Sequence, residues 1–309
     1  MTPFLRKLRH AVYTLYLNIR FKMLSRIRKN IQVLPSEDTV NYILKHKCSV
    51  SRYGDGEIDM IIQFITNNKS RVNDTFQVYD ENLAKRLFYI LSAKKYDNHK
   101  HIVCIPYWFH DKIELYKPEV RYFCKKYFCK NYQQINSILN KQRQYYNANM
   151  SRFYLSYIDK SGCEEYVQLL RKIWDGKTIC FVEGVYSRLG VGNDLFSNAF
   201  NIKRILCPAR NAFEYYDKIK STVLNFVPKD VLILIALGHT ATVLAFDLSN
   251  EGYQAIDLGH IDVEYEWMRM KATYKVPVKN KYVNEAAGGR ICSECTDENY
   301  KSQVLIIIL

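Results

Sequence analysis

"DVLILIALGHTATVLAFDLSNEGYQAIDLG", residues 230–259, contains the pattern that decides the fold. Residues 230–237 are apolar at nearly every position, which is too continuous for a strand with one wet face, so both of its faces must be covered. A helix-like run follows at 240–251, and 254–259 return to a short apolar strand closed by a glycine. A strand, a helix and a second strand in that order imply a crossover between parallel strands.

The same pattern extends toward the N-terminus. Apolar strands are expected at 48–52, 101–107, 178–184 and 203–208, with helices at about 193–200 and 211–224. Near-continuous apolar strands separated by helices predict an α/β chain with a Rossmann-like, doubly wound, mostly parallel sheet. Residues 110–175 are helix-rich, aromatic and basic without a clear strand, and read as a helical insertion. Pro35-Ser36-Glu37-Asp38 reads as a linker and helix start with Ser36 as N-cap. The predicted organisation is a basic N-terminal helix over 1–35, a catalytic domain over 36–285 and an irregular tail over 286–309.

At 309 residues the chain can bury a large core. Hydrophobic residues make up 48% and charged residues 25%, as in a soluble globular protein. The net charge of +14 favours an anionic partner such as a phosphorylated substrate, an acidic leaflet or nucleic acid. Nine dispersed cysteines make a poor disulfide framework and point to a reducing cytoplasm. Cys292 and Cys295 form a lone CxxC without the second ligand pair that zinc needs.

Residues 1–36 hold eight Lys or Arg and no acid, while Phe4, Leu8, Val12, Leu15, Ile19, Met23 and Ile27 step by three or four. That spacing makes one apolar helical face among cations. The run at 11–19 falls short of the ~20 apolar residues that span a bilayer. Two readings stand: a basic amphipathic helix on an anionic membrane surface, or a helix packed on the protein's own core. No helix-turn-helix, zinc-finger or RNP pattern appears, so nucleic acid is not expected.

Ligands of doubly wound sheets bind beyond the carboxyl ends of the strands. Four such ends are polar or glycine-rich. Arg52-Tyr53-Gly54-Asp55-Gly56-Glu57 places two acids about a glycine; it is either a surface turn or a site for Mg²⁺ or Mn²⁺, with Arg52 on the phosphates. "FVEGVYSRLGVGNDLF" offers Glu183, Arg188, Gly190, Gly192 and Asn193 ahead of an expected helix, an anion site or simply a tight turn. Gly238, His239 and Thr240 open the helix after 230–237, either cradling a second phosphate or sugar, or with Thr240 merely capping it. His260, Asp262, Glu264 and Glu266 follow 254–259 and offer a base or acceptors for sugar hydroxyls.

Together "SRYGDGE", "VEGVYSRLGVGNDLF", "IKRILCPARNAFEYYDKI", "ALGHTATVLAFDL" and "GYQAIDLGHIDVEYEW" resemble the GT-D class of bacterial glycosyltransferases over about residues 36–280. The resemblance implies a DxE motif, here Asp55 and Glu57, that binds the diphosphate of a UDP-sugar with Mn²⁺ or Mg²⁺. It implies transfer from UDP-glucose or a related hexose to a growing surface glycan or glycoprotein acceptor, and the basic N-terminus adds the expectation of a cytoplasmic protein peripheral on the inner membrane face, beside a lipid-linked acceptor. Arg52, Arg188 and the metal would neutralise the departing UDP, and, if configuration inverts, Glu183, Asp262 or Glu264 would be the base. Family members often carry "GPTAT" where this chain has "GHTAT", a departure that places His239 where that helix would receive its ligand. The competing readings are an NADP-dependent oxidoreductase using "GVGND" and Arg210, which leaves "GDGE" unexplained, and a non-catalytic basic membrane or nucleic-acid adaptor.

Overall fold

The computed structural model describes residues 3–25, 30–68, 76–93, 99–107 and 113–308. Ile27 and the cations at 26, 28 and 29 lie outside the described residues, as does the start of the expected insertion at 110–112. In chain order the main elements are α1 (Pro3–Met23), β1 (Gln32–Val33), α2 (Ser36–His46), β2 (Ser49–Arg52), α3 (Asp55–Thr66), α4 (Glu81–Ser92), β3 (His101–Ile105), α5 (Pro118–Ile138) and β4 (Gln144–Asn147). There follow α6 (Cys163–Arg171), β5 (Thr178–Gly184), β6 (Asn201–Cys207), α7 (Tyr216–Phe226), β7 (Leu232–Ala236), α8 (His239–Asn250), β8 (Ala255–Asp257), α9 (Ile261–Arg269), α10 (Glu298–Gln303) and β9 (Val304–Ile307).

The strands form one sheet in the order β1-β4-β3-β2-β8-β7-β5-β6-β9. Every paired neighbour runs parallel. β7 is buried along its whole length, as its continuous Leu-Ile run requires. Two apolar clusters fill the two sides of the sheet, one containing Ile233 and Ile235, the other Leu232 and Leu234. Alternate residues of one strand thus feed opposite cores.

The order reverses between β2 and β8. From β2 the chain winds outward through β3 and β4, while on the other side of β2 lies β8, followed by β7 and β5. This reversal is the topological switch point, where the loops above two adjacent strands part and leave a crevice.

Four expectations are corrected. Residues 193–200 form successive turns, not a helix: Leu195 N donates to Asn193 Oδ1 at 3.1 Å, the backbone bonds run Ser197 N to Asp194 O and Ala199 N to Phe196 O, and Leu195 and Phe196 are buried in the core. The segment 110–175 is not purely helical, because Gln144–Asn147 pairs with both β1 and β3. Aromatic Tyr145 and Tyr146 suit a strand, but the four-residue run is too short to stand out by period. Ser36 is the first residue of α2 rather than its N-cap, and its hydroxyl accepts from Asn147 Nδ2 at 2.8 Å. The tail is not irregular throughout, since Val304–Ile307 adds an edge strand to β6.

α1 packs on α5 through Leu17 and Phe21, the latter edge-on to Phe128. The residues that formed the sequence's apolar stripe, Phe4, Leu8, Val12, Leu15, Ile19 and Met23, all face outward. Among the described residues no helix is long and apolar enough to cross a membrane.

Candidate active site

β2 ends in Arg52, and Tyr53 turns the chain directly into α3. Glu57, the third residue of that helix, reaches back so that Gly54 N donates to its Oε2 at 2.7 Å. This is the reciprocal half of a capping box, and it fixes the helix N-terminus at the mouth of the crevice. Asp55 is the first residue of the helix and lies open to the cleft. The protein crowding around it, and then the charge of Glu57, raise its pKa above the usual aspartate value.

The crevice encloses about 680 Å³, within the range of small-molecule sites. Its floor is the pair of strand ends at the switch point. Arg52 Nε lies 3.5 Å from Asp257 Oδ1, and Arg52 Nη1 donates to the Ala148 carbonyl at 2.9 Å. Gly259, at φ 50°, is the residue that lets Arg52 pass, because a Cβ there would fall 1.7 Å from Nη2. Burial pushes the Asp257 carboxyl up to about 6 against the pull of Arg52.

One wall is α8 and its approach. Gly238, at φ 54°, packs under the Phe76 ring, which a Cβ would approach to 2.4 Å. His239 begins the helix with Nδ1 3.8 Å from Glu57 Oε1. Thr240 is the second helical residue rather than a cap; its hydroxyl is buried without a hydrogen-bond partner and lies off the cleft lining.

The opposite wall carries Arg152, His260, Lys275 and Glu285. Arg152 Nη2 donates to Glu285 Oε1 at 2.6 Å and to His260 Nδ1 at 2.8 Å, and Lys275 pairs with the other Glu285 oxygen. Burial opposes ionisation of Glu285, yet Arg152, His260 and Lys275 hold it well below the usual carboxylate range. Burial first, and then Arg152, lower the His260 pKa to about 4. Arginine only donates, so the neutral imidazole must accept at Nδ1 and carry its proton on Nε2.

The structure separates the expected site residues into two groups. Arg52, Gly54, Asp55, Gly56, Glu57, Gly238, His260, Asp262 and Glu264 all line the crevice. Glu183, Arg188, Gly190, Gly192, Asn193 and Thr240 do not. Glu183 is fully buried, paired with Arg204 and accepting from Leu189 N at 2.8 Å, so no substrate hydroxyl can reach it. Arg188 turns away, donating to the carbonyls of Asn280 and Ser293 at 2.8 and 2.7 Å. Gly190 N and Asn193 Nδ2 both donate to Asp262 Oδ1 at 2.8 Å, so the glycine loop offers those donors to the protein and not to an anion. Asp262 also pairs with the buried Lys281.

Glu264 differs from Asp262. Tyr154 N and Leu155 N donate to its Oε2 at 3.1 and 2.9 Å, and burial, opposed by Arg152, raises its pKa. Sequence reading missed Arg152, Asp257, Lys275 and Glu285. Asp257 stood inside an apolar strand, and the other three belong to segments without period or motif.

Among the described residues no group of three or more His, Cys, Asp or Glu side chains converges to hold a metal ion. Asp55 and Glu57 are the residues that could hold Mg²⁺ or Mn²⁺ together with substrate phosphates and water, as those ions are commonly bound. The upward pKa shift at Asp55, caused in part by Glu57, marks a spot that a cation would stabilise.

Fold and crevice define a class first: a Rossmann-like α/β protein with a charge-lined cleft above its switch point, where such sheets take their ligands. The family model described as "Glycosyltransferase GT-D fold" matches residues 50–286. The chain belongs to this glycosyltransferase family. It is 34% identical over 287 residues to "Glycosyltransferase GlyD" of Streptococcus pneumoniae, covering 93% of this chain and 34% of the relative. It is 35% identical over 277 residues to "Probable glycosyl transferase Gly" of Streptococcus gordonii, covering 90% of this chain and 39% of the relative. The chain thus spans little more than a third of the length of these curated relatives.

Among solved structures, "The highly conserved domain of unknown function 1792 has a distinct glycosyltransferase fold" superposes with a TM-score of 0.84 at 40% identity, covering 93% of this chain and 99% of that one. "A New Glycosyltransferase (DUF1792) from Streptococcus sanguinis" does so with a TM-score of 0.82 at 35% identity, covering 90% and 100%.

Proposed function

We propose that this chain transfers a hexose from a UDP-sugar, UDP-glucose or a close relative, to a growing bacterial surface glycan or glycoprotein, with Mg²⁺ or Mn²⁺ held by Asp55 and Glu57. The observation that carries the reading is the placement of those two acids at a helix N-terminus facing the crevice, opposite a cationic wall. A divalent ion bound there would neutralise charge on the diphosphate as the glycosidic bond to UDP breaks. Arg52, Arg152 and Lys275 supply further positive charge to the departing group, and the first-turn amides of α3 orient it.

Glu264 is the proposed base. Both of its backbone donors fall on Oε2, which leaves Oε1 to take the proton of the acceptor hydroxyl, and its raised pKa favours that transfer. His260 would donate through Nε2 to a donor oxygen. A panel of nucleotide sugars with and without Mn²⁺, scored by release of the nucleoside diphosphate, tests the proposal. Metal-stimulated release of UDP is expected; no release from any UDP-hexose would refute it.

The outward stripe of α1 supports a second element of the reading, peripheral attachment to an anionic leaflet on the cytoplasmic face. Arg6, Lys7 and Arg9 flank exposed Phe4, Leu8 and Val12, so apolar insertion and charge attraction act together.

A further inference from the structure

The crevice lining extends beyond the residues of the proposed metal and diphosphate subsite. There α5 presents Glu119, Val120 and Phe123 to the cavity. Phe123 is 46% exposed and has an aromatic partner on one face. That partner is Tyr127, stacked at 5.9 Å between ring centroids and 24° between planes. The Tyr127 hydroxyl donates to the Asp55 carbonyl at 3.2 Å and contacts Asp59 Oδ1 at 3.0 Å. The exposed ring is thereby linked, through Tyr127, to the backbone of Asp55, a proposed metal ligand.

Another aromatic of the crevice, Phe76, sits on Gly238 just beyond β7. Phe123 lies on α5, in the connection from β3 to β4. The proposed phosphate subsite at Arg52 and Asp55 follows β2, between these two flanks in the sheet order.

Resting on the proposed donor reading, we propose that Phe123, with Glu119 beside it, forms the acceptor subsite, and that its ligand is a pyranose ring of the acceptor glycan. A sugar buries an apolar C–H face on an aromatic ring while its rim hydroxyls seek acceptors. An exposed phenylalanine with a carboxylate one helical turn away, at i−4, offers both. Uracil would stack as well, but it has one N–H to donate where a pyranose has several hydroxyls for Glu119.

The test uses the full chain with UDP and Mn²⁺, and a panel of p-nitrophenyl hexosides (gluco, galacto and N-acetylglucosamine) as acceptor probes. UDP affinity is measured by titration calorimetry and glycoside binding by saturation-transfer NMR. The expected result is that Phe123→Ala leaves UDP affinity unchanged and weakens glycoside binding roughly 3- to 10-fold, with Phe123→Trp restoring it. Unchanged glycoside binding in Phe123→Ala overturns the subsite, as does the absence of glycoside binding to the wild type when UDP binds. Loss of UDP affinity in Phe123→Ala would instead make the ring a base platform and also overturn it. Failure of the wild type to bind UDP at all would strike the donor reading itself.

Discussion

Glu57 serves two purposes that substitution can separate. Its carboxylate staples the start of α3 through Gly54 N and supplies charge beside Asp55. Glu57→Gln keeps an oxygen acceptor and loses the charge, so it should leave thermal stability within about 0.5 kcal/mol while lowering metal-stimulated UDP release on the order of 100-fold. Asp55→Ala should do the same, and full activity in both variants would remove the metal assignment. Gly259→Ala tests the floor: the added Cβ collides with the Arg52 guanidinium and strains a left-handed backbone. A cost of about 1 kcal/mol or more in denaturant unfolding is expected, together with lost transferase activity as Arg52 is displaced. His260 titrates at about 4 when folded against an ordinary 6.5. The unfolded chain therefore binds more protons between those values, and this residue's contribution to stability is present above pH 6.5 and lost as pH falls toward 4. His260→Asn should flatten that fall by on the order of 1 kcal/mol after solvent screening, read from urea melts across the window.

At the scale of elements, β9 and α10 brace the inner end of β6. Arg204, buried between the rings of Phe181 and Tyr300, pairs with Glu183 and takes Gln303 Oε1 at 2.7 Å and the Leu189 carbonyl at 2.9 Å. One guanidinium therefore ties the C-terminal elements to the 185–192 loop that edges the crevice. Arg204→Met leaves Glu183 buried and unpaired, with an expected loss of about 3–5 kcal/mol. Adding Glu183→Leu should recover most of it, since neither charge then needs a partner. No recovery in the double variant would mean that the pair is required for the loop's geometry as well as for charge balance.

At the scale of the whole molecule, α1 joins the body along one line of contact and presents its sequence-legible stripe to the outside. Removing residues 1–35 would strip Leu17 and Phe21 from α5, so truncation confuses packing with membrane attachment. Leu8→Glu with Leu15→Glu avoids this, because both side chains are exposed. The double variant should melt within about 0.5 kcal/mol of wild type, yet sediment with anionic liposomes several-fold less, each nearby cation being worth about 1 kcal/mol. The remaining binding should weaken further with salt, as charges screen over about 8 Å at physiological strength. Equal sedimentation of variant and wild type would set aside the membrane reading.

The period of the apolar residues by itself determined the long strands at 48–52, 101–107, 178–184, 203–208 and 230–237 and the parallel sheet, because alternation is a local property, while the acids at Asp55 and Glu57 showed as polar residues at a strand end. Strands as short as Gln32–Val33, Gln144–Asn147 and Val304–Ile307 carry too few residues to show a period, and form because a neighbouring strand edge offers hydrogen bonds. The glycine loop at 190–192 resembled an anion site in sequence, but its φ values and the pull of Asp262 commit it to packing. Glu183 and Arg188 likewise looked like site residues only until their partners, Arg204 and the carbonyls of Asn280 and Ser293, came into place. Arg152 and Glu285 stand 133 positions apart and meet over His260. Only the tertiary structure decides such a meeting, because a charge's partner across that distance is chosen by the path of the chain and leaves no trace in local sequence.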